Sequence, residues 1–325
     1  SVVGSYGLGF LLVTGSLHVS AQTNNTEHKA FNDYKAAALK GDAEAQYNLG
    51  VSYDKGLGVA QDYSEALKWF RKAAAQNYAE AQYNVGVYHA YGHGVTTNYT
   101  EAVKWFRKAA EQNDADAQFN MGFCYDRGLG VATNYTEAVK WYRKAAAQNS
   151  PEAQHGLGVC YDHGNGVEQS FVEGAKWYRK AAEQNHAESQ HNLGVCYIDG
   201  QGVKVDFTEA VKWFRKAADQ NLGEAQCNLG FCYAIGQGVT QDHVEAVKWY
   251  RKAAAQNIAF AQKTLGTCYA TGQGVERDEV EAYAWFNVAA DQDEDAANQR
   301  DLVAKKLTPE QIATAQKRSK KLKAE

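Results

Sequence analysis

The sequence predicts an all-α protein, a right-handed α-solenoid superhelix of antiparallel helix pairs, on three observations. All seven tryptophans, Trp69, Trp105, Trp141, Trp177, Trp213, Trp249 and Trp285, lie 36 residues apart. Each 36-residue block carries two runs of small and apolar residues at helical spacing. A pair of glycines stands between the two runs in every block. A fixed period of this length marks a supersecondary unit that cannot bury its apolar face alone and therefore stacks on copies of itself.

In the first block, residues 43–78, Ala45, Leu49, Ser52 and Tyr53 fall at i, i+4, i+7 and i+8 and share one face of a helix A spanning residues 43–55. Ala66, Phe70, Ala73 and Ala74 repeat that spacing, and Trp69 widens the face of a helix B over residues 63–76. Gly56 and Gly58 between them supply the positive φ that ends a helix and turns the chain. Asp62 at the N-cap and Glu65 three residues on form a variant capping box, each able to satisfy an orphan backbone N–H. Gly50 stands inside helix A, where it costs roughly 1 kcal/mol relative to Ala. Its return in every block predicts that helices A and B cross too closely for a Cβ. A phosphate-cradling role for the turn glycines is disfavoured, because GxG follows a helix and no Lys-Ser/Thr pair opens the next one.

The motifs AEAQYNLG, Gly-x-Gly-Val and EAVKWFRKAA resemble the Sel-one-like repeat, a relative of the tetratricopeptide repeat, over about residues 43–293. The resemblance implies antiparallel helix pairs and a non-enzymatic scaffold or adaptor that binds proteins. It also implies, for bacterial members, a place at the cell envelope or facing a host. A cysteine-rich secreted subset carries two paired cysteines per repeat, and small-molecule binding or weak β-lactam hydrolysis has been attributed to it. That activity is the alternative function here.

Four segments follow. Residues 1–21 lack any Lys, Arg, Asp or Glu, and the apolar run 7–17 precedes Val19 and Ala21 at −3 and −1, which reads as a signal peptide truncated at its start. That places the protein in the periplasm or outside the cell; with a disordered tail instead, it is cytoplasmic. Residues 22–42 comprise a polar linker, 22–27, and an N-terminal half-repeat in which Tyr34 takes the place of Phe70 and Asp33 that of the tryptophan. Seven repeats fill residues 43–294. Residues 295–325 form C-terminal capping helices, the last opened by Thr308-Pro309-Glu310-Gln311.

Net charge −4 offers no overall footprint for nucleic acid. Local basic stripes on helix B, Lys68, Arg71, Lys72 and their copies, are accounted for by solvation and by acidic neighbours such as Glu65, and the basic run 317–323 by a solvated face. No apolar run suits a membrane span, and no cofactor is implied. Five cysteines, Cys124, Cys160, Cys196, Cys232 and Cys268, occupy one helix A position. Successive copies stand about 8–10 Å apart, beyond the ~7 Å reach of a disulfide. They read as small buried hydrophobes, which sits against an oxidising compartment.

Ser52-Tyr53-Asp54-Lys55 matches the Ser-x-x-Lys of serine β-lactamases, but no Lys-Thr-Gly follows, and the match reads as coincidence. His89 and His93 have the i, i+4 spacing of metal ligands, yet His93 lies in the turn, so exposed histidines are the simpler reading. The recurrent Gln46, Gln82 and their copies are expected to satisfy backbone groups between repeats.

Two positions vary where the others repeat. Three residues before the mid-helix glycine stand Tyr47, Tyr83, Phe119, His155, His191, Cys227 and Lys263. Five residues after it stand Lys55, Tyr91, Arg127, His163, Asp199, Ile235 and Thr271. Packing positions must repeat because every interface is the same, whereas a partner is not periodic. By the resemblance to tetratricopeptide repeats, helix A lines the concave side and these residues face a groove for a protein or extended peptide, anchored by rings at the early end.

Overall fold

The computed structural model describes residues 21–323. The expected signal peptide, apart from Ala21, lies outside them. The described chain divides after residue 168 into two compact units. In the first, α1 (Ala21–Leu39) precedes three pairs: α2 (Ala43–Lys55) with α3 (Tyr63–Ala75), α4 (Ala79–Tyr91) with α5 (Tyr99–Glu111), and α6 (Ala115–Arg127) with α7 (Tyr135–Ala147). Helix α8 (Pro151–His163) ends this unit. The second opens with α9 (Phe171–Glu183) and continues with α10 (Ala187–Asp199), α11 (Phe207–Asp219), α12 (Gly223–Ile235), α13 (His243–Ala255), α14 (Ala259–Thr271) and α15 (Glu279–Ala289). Helices α16 (Glu294–Ala304) and α17 (Pro309–Leu322) close it. Among the described residues there is no strand.

Helix boundaries follow the local signals. Gly56 ends α2 in the left-handed region at φ 70°, its N–H donating to the Ser52 carbonyl. Helix B ends differently: Asn77, Asn113, Asn149, Asn185, Asn221 and Asn257 take positive φ, a role that asparagine tolerates better than other side chains. The N-cap half of the expected capping box is present, with Asp62 accepting from the Ser64 and Glu65 N–H groups. Glu65 does not reciprocate; its carboxylate pairs with Lys68 at 2.5 Å, one turn along. A complete box forms only at α17 among the described helices, between Thr308 and Gln311.

The core of each unit is a ladder of equivalent layers. Leu49, Phe70, Phe106, Leu229 and Phe286 are fully buried, and Trp69, Trp141, Trp249 and Trp285 each close the layer before their own, as Trp141 does against Met121 and Cys124 of α6. The mid-helix glycines make room first for a ring, with the helix B backbone close behind at Gly86 and Gly230, where the Ala102 and Ala246 carbonyl oxygens would stand 3.2 Å from an added Cβ. A Cβ on Gly50 would come within 2.6 Å of Phe70 Cδ1, and one on Gly122 within 2.5 Å of Tyr142 Cδ1. The second glycine of each turn lies on backbone instead: at Gly94 an added Cβ would meet the Tyr63 carbonyl carbon and oxygen at 2.8 Å.

Between repeats runs a ladder of buried amides. Gln82 Nε2 donates to the Ala74 carbonyl (3.3 Å) and to Asn77 Oδ1 (3.0 Å), while its own Oε1 accepts from Gln112 Nε2 at 2.8 Å. Gln226 repeats this with Ala218, Asn221 and Gln256. The recurrent glutamines thus satisfy the backbone at helix B ends and tie one repeat to the next.

The N-terminal half-repeat departs from expectation. Residues 22–27, read as a linker, belong to α1, because no Gly or Pro interrupts residues 21–39. Tyr34, expected in the core, is 36% exposed, and Phe31 is buried in its stead, edge-on to Tyr53 at 5.5 Å. At the other end α17 covers Trp285 with Leu322. The basic run there is partly pinned, Arg318 Nε lying 2.9 Å from Glu281 Oε1 and Lys323 Nζ 2.5 Å from Asp291.

Candidate functional site

In each unit the varying residues form two rows at different depths. The inner row lies on the helix B rings that fill the mid-helix glycines. In the first unit Tyr47 rests 5.7 Å from the Phe70 ring, Tyr83 5.9 Å from Phe106 and Phe119 5.9 Å from Tyr142. In the second, His191 lies 5.7 Å from Phe214. Side chains of the next repeat reach back to this row. Asn84 bonds to Tyr47, Asn120 Nδ2 stands 3.5 Å from the Tyr83 hydroxyl, and Asn228 Nδ2 lies 2.9 Å from His191 Nε2. Lys263 Nζ pairs with Asp293 at 2.8 Å and Asp295 at 3.3 Å. Burial pushes the Tyr47 and Tyr83 phenols above the ordinary tyrosine range.

The row is therefore half core and half surface; His155 is also half-buried. One member leaves it. Cys227, expected to face a partner, is buried in the cluster that contains Tyr250, its short apolar thiol sinking where longer side chains lie across the ring.

The outer row sits at the helix A C-termini. Lys55, Arg127 and His163 in the first unit, and Asp199, Ile235 and Thr271 in the second, are exposed. Arg127 Nε pairs with Asp126 at 3.1 Å, and His163 Nδ1 lies 3.0 Å from the Val159 carbonyl. Tyr91 is the exception, half-buried and stacked on His93 at 5.6 Å, with burial raising its phenol to about 12. Between the rows on α12 lies Phe231, 43% exposed, one turn before Ile235 at 49%. Its signal was in the sequence, as Phe123 and Phe231 replace Val51 at that position.

The basic stripes of helix B are occupied by contacts, the lysines within their own helix and the arginines with helix A of the next repeat. Lys72 Nζ lies 3.6 Å over the Trp69 ring and Lys216 Nζ 4.1 Å over Trp213, a cation–π arrangement. Arg107 Nη2 donates to the Tyr125 hydroxyl at 2.8 Å, and Arg251 does the same to Tyr269. Ser52 is buried at 4% exposure, and its hydroxyl donates to the Asn48 carbonyl of its own helix at 2.9 Å. All six cysteines are buried as free thiols; burial raises Cys124, Cys160 and Cys227 to about 12.

His89, expected to be exposed, is buried with Nε2 3.1 Å from Arg71 Nη2, because it takes the place that Tyr125 and Tyr161 hold in their repeats. His93 is stacked on Tyr63 at 4.9 Å. Among the described residues no three His, Cys, Asp or Glu side chains gather as metal ligands would, and no helix is long and apolar enough to cross a membrane.

Burial lowers the pKa of both His89 and His191, with the Arg71 charge adding to the effect at His89. A depressed folded-state pKa means that the unfolded chain, titrating near pH 6.5, binds the proton first. Their contribution to stability is therefore present above about pH 6.5 and lost as pH falls from there through the lowered folded-state value. The carboxyls of Asp114, Asp116 and Asp126, raised by burial, act oppositely and at lower pH. Thermal melts of His89→Tyr and His191→Gln against the parent should show a smaller fall in Tm between pH 7.5 and 5.5. Parallel Tm profiles would refute the assignment.

A family model described as the Sel1 repeat matches residues 43–78, 79–114, 115–150, 151–186, 187–222, 223–258 and 259–294. Among solved structures, the chain is similar to a Sel1 repeat protein from Oxalobacter formigenes at 35% identity and TM-score 0.68, over 75% of this chain and 96% of that one. It is also similar to c5321, a protective antigen of uropathogenic Escherichia coli with an SLR fold. That match has 34% identity and TM-score 0.46 over 91% of this chain and 79% of that one. Among curated proteins no match is found.

Proposed function

The chain belongs to the Sel1 repeat family, and from that premise we propose a protein-binding scaffold whose helix A faces hold an extended segment of a partner protein. The observation that supports it is the outer row. The residues that repeat are taken up by packing, caps and the amide ladder, whereas Lys55, Arg127, His163, Asp199, Ile235 and Thr271 are exposed and unlike one another. A surface that changes chemistry from repeat to repeat suits recognition of a non-periodic segment. The half-exposed rings of Tyr47, Tyr83 and Phe119 supply a firm apolar floor beside it, since each is held by a core ring.

Catalysis requires unlike groups that converge on one reacting atom. Ser52, the residue on which a β-lactam-hydrolysing alternative depends, is buried with its hydroxyl turned to its own helix. No observation favours that reading.

The test is affinity capture from the native source with the parent chain and with a Lys55→Ser, Arg127→Ser, His163→Ser triple variant. Alanines at Tyr47, Tyr83 and Phe119 would disturb the core rings, so the outer row is the cleaner probe. Capture of a specific partner should fall at least tenfold while Tm stays within a few degrees. Undiminished capture by the folded triple variant would defeat the placement.

A further inference from the structure

The repeat provides an internal comparison that points to a binding site in the second unit. In the first unit, Tyr88 projects from α4 and is buried, 3% exposed. Its hydroxyl donates to the Asp54 carboxylate, and its ring stands edge-on to Phe70 at 5.4 Å, to Tyr63 at 6.1 Å and to His93 at 5.5 Å. Five periods later, the places of Asp54, Tyr63, Phe70, Tyr88 and His93 are taken by Ala234, His243, Tyr250, Cys268 and Gln273. Those five residues line a cavity of about 300 Å³ between α12, α13 and α14. Cysteine also holds the place of Tyr88 in α6, α8, α10 and α12; what sets this layer apart is that it carries neither the Tyr88 ring nor the Tyr or Phe found at the place of His243, with Thr267 where the other repeats have Val or Phe.

The rest of the lining agrees with an apolar ring as occupant. Thr264 and Thr267, also at the cavity, turn their hydroxyls back to the Phe260 and Lys263 carbonyls at 2.7 and 3.2 Å. Their hydrogen-bonding groups are thereby engaged by their own helix. Ile235 lies at the rim, with Phe231 exposed one turn before it on the same helix. An apolar cavity of roughly 150 Å³ already suffices to bind benzene, so volume does not limit the fit.

We propose that this cavity is an anchor site for an aromatic side chain of a partner protein, which completes α12–α14 as Tyr88 completes its own layer. The proposal deepens the scaffold reading, on which it rests, by naming a residue type that the partner carries. Ala234 in place of Asp54 removes the carboxylate that receives the Tyr88 hydroxyl. Phenylalanine should therefore serve as well as tyrosine.

The probes are N-acetyl-phenylalanine amide and N-acetyl-tyrosine amide, titrated into the full chain with methyl NMR detection of Ile235, Thr264 and Thr267. Saturable shifts of these methyls are expected with both amides, and at least tenfold weaker binding of N-acetyl-leucine amide. Cys268→Tyr, which places in the cavity the ring that α4 already accommodates, should abolish the shifts. Thr267→Phe, the residue found at this place in Phe123 and Phe231, closes the rim independently should the first variant fold poorly. Absent shifts, equal binding of the leucine amide, or binding that persists in a folded variant would overturn the site. The readout uses the amides alone, so its failure is distinguishable from loss of partner capture at Lys55, Arg127 and His163.

Discussion

Phe214→Ala should lower stability by about 3–5 kcal/mol, the usual loss when a fully buried aromatic ring is removed. Phe214 is 2% exposed, lies over Gly194 so closely that an added Cβ would meet its Cε1 at 2.6 Å, and supports the His191 ring at 5.7 Å. One truncation therefore empties the layer between α10 and α11 and loosens the inner row above it. Because a repeat array couples each layer only to its neighbours, the loss should also make urea unfolding less cooperative. Phe231→Ala, at an exposed ring, should stay within about 0.5 kcal/mol and serves as the control. Equal midpoints for the two variants would show that Phe214 is not part of the core.

Gly130→Ala should be nearly as damaging, and Gly56→Ala appreciably less so. Both glycines hold φ near +70°, where a side chain costs roughly 1–2 kcal/mol. At Gly56 the nearest atoms to an added Cβ are 3.5 Å away, so strain is the whole effect. At Gly130 the Cβ would be driven into the carbonyl group of Tyr99, the first residue of α5 in the preceding repeat. Overpacking of that kind adds about 1–3 kcal/mol. Denaturant titration of the two variants side by side measures the difference, and equal losses would contradict the close approach of successive repeats at Gly130.

The two glycine classes show how far the period could be read. That Gly50 and its copies need a missing Cβ was legible from recurrence alone, because a glycine inside a helix is unfavourable and must be compensated. What fills the space was not: it is the Phe70 ring, and only the packed pair of helices shows it. The basic stripes behaved similarly. Their spacing suggested solvation and pairing with Glu65, and the i, i+3 seating of Lys72 on Trp69 is equally local, but that of Arg107 on Tyr125 depends on which side chains two helices bring within reach.

The sequence by itself determined the helix pairs, their limits and which residues are equivalent, because caps, turn glycines and apolar spacing are local properties that act within a few residues of chain. Tertiary structure alone decided depth. Cys227 and His191 are equivalent by period, yet one sinks into the core and the other keeps a half-exposed ring bonded to Asn228. Tyr88 and Cys268 are equivalent too, yet the one fills its layer and the other lines a cavity that His243 and Thr267 share. Periodicity assigns a side chain to a face; how far it reaches, and whether a neighbour 30 or more residues away has left it room, is settled only when the layers pack.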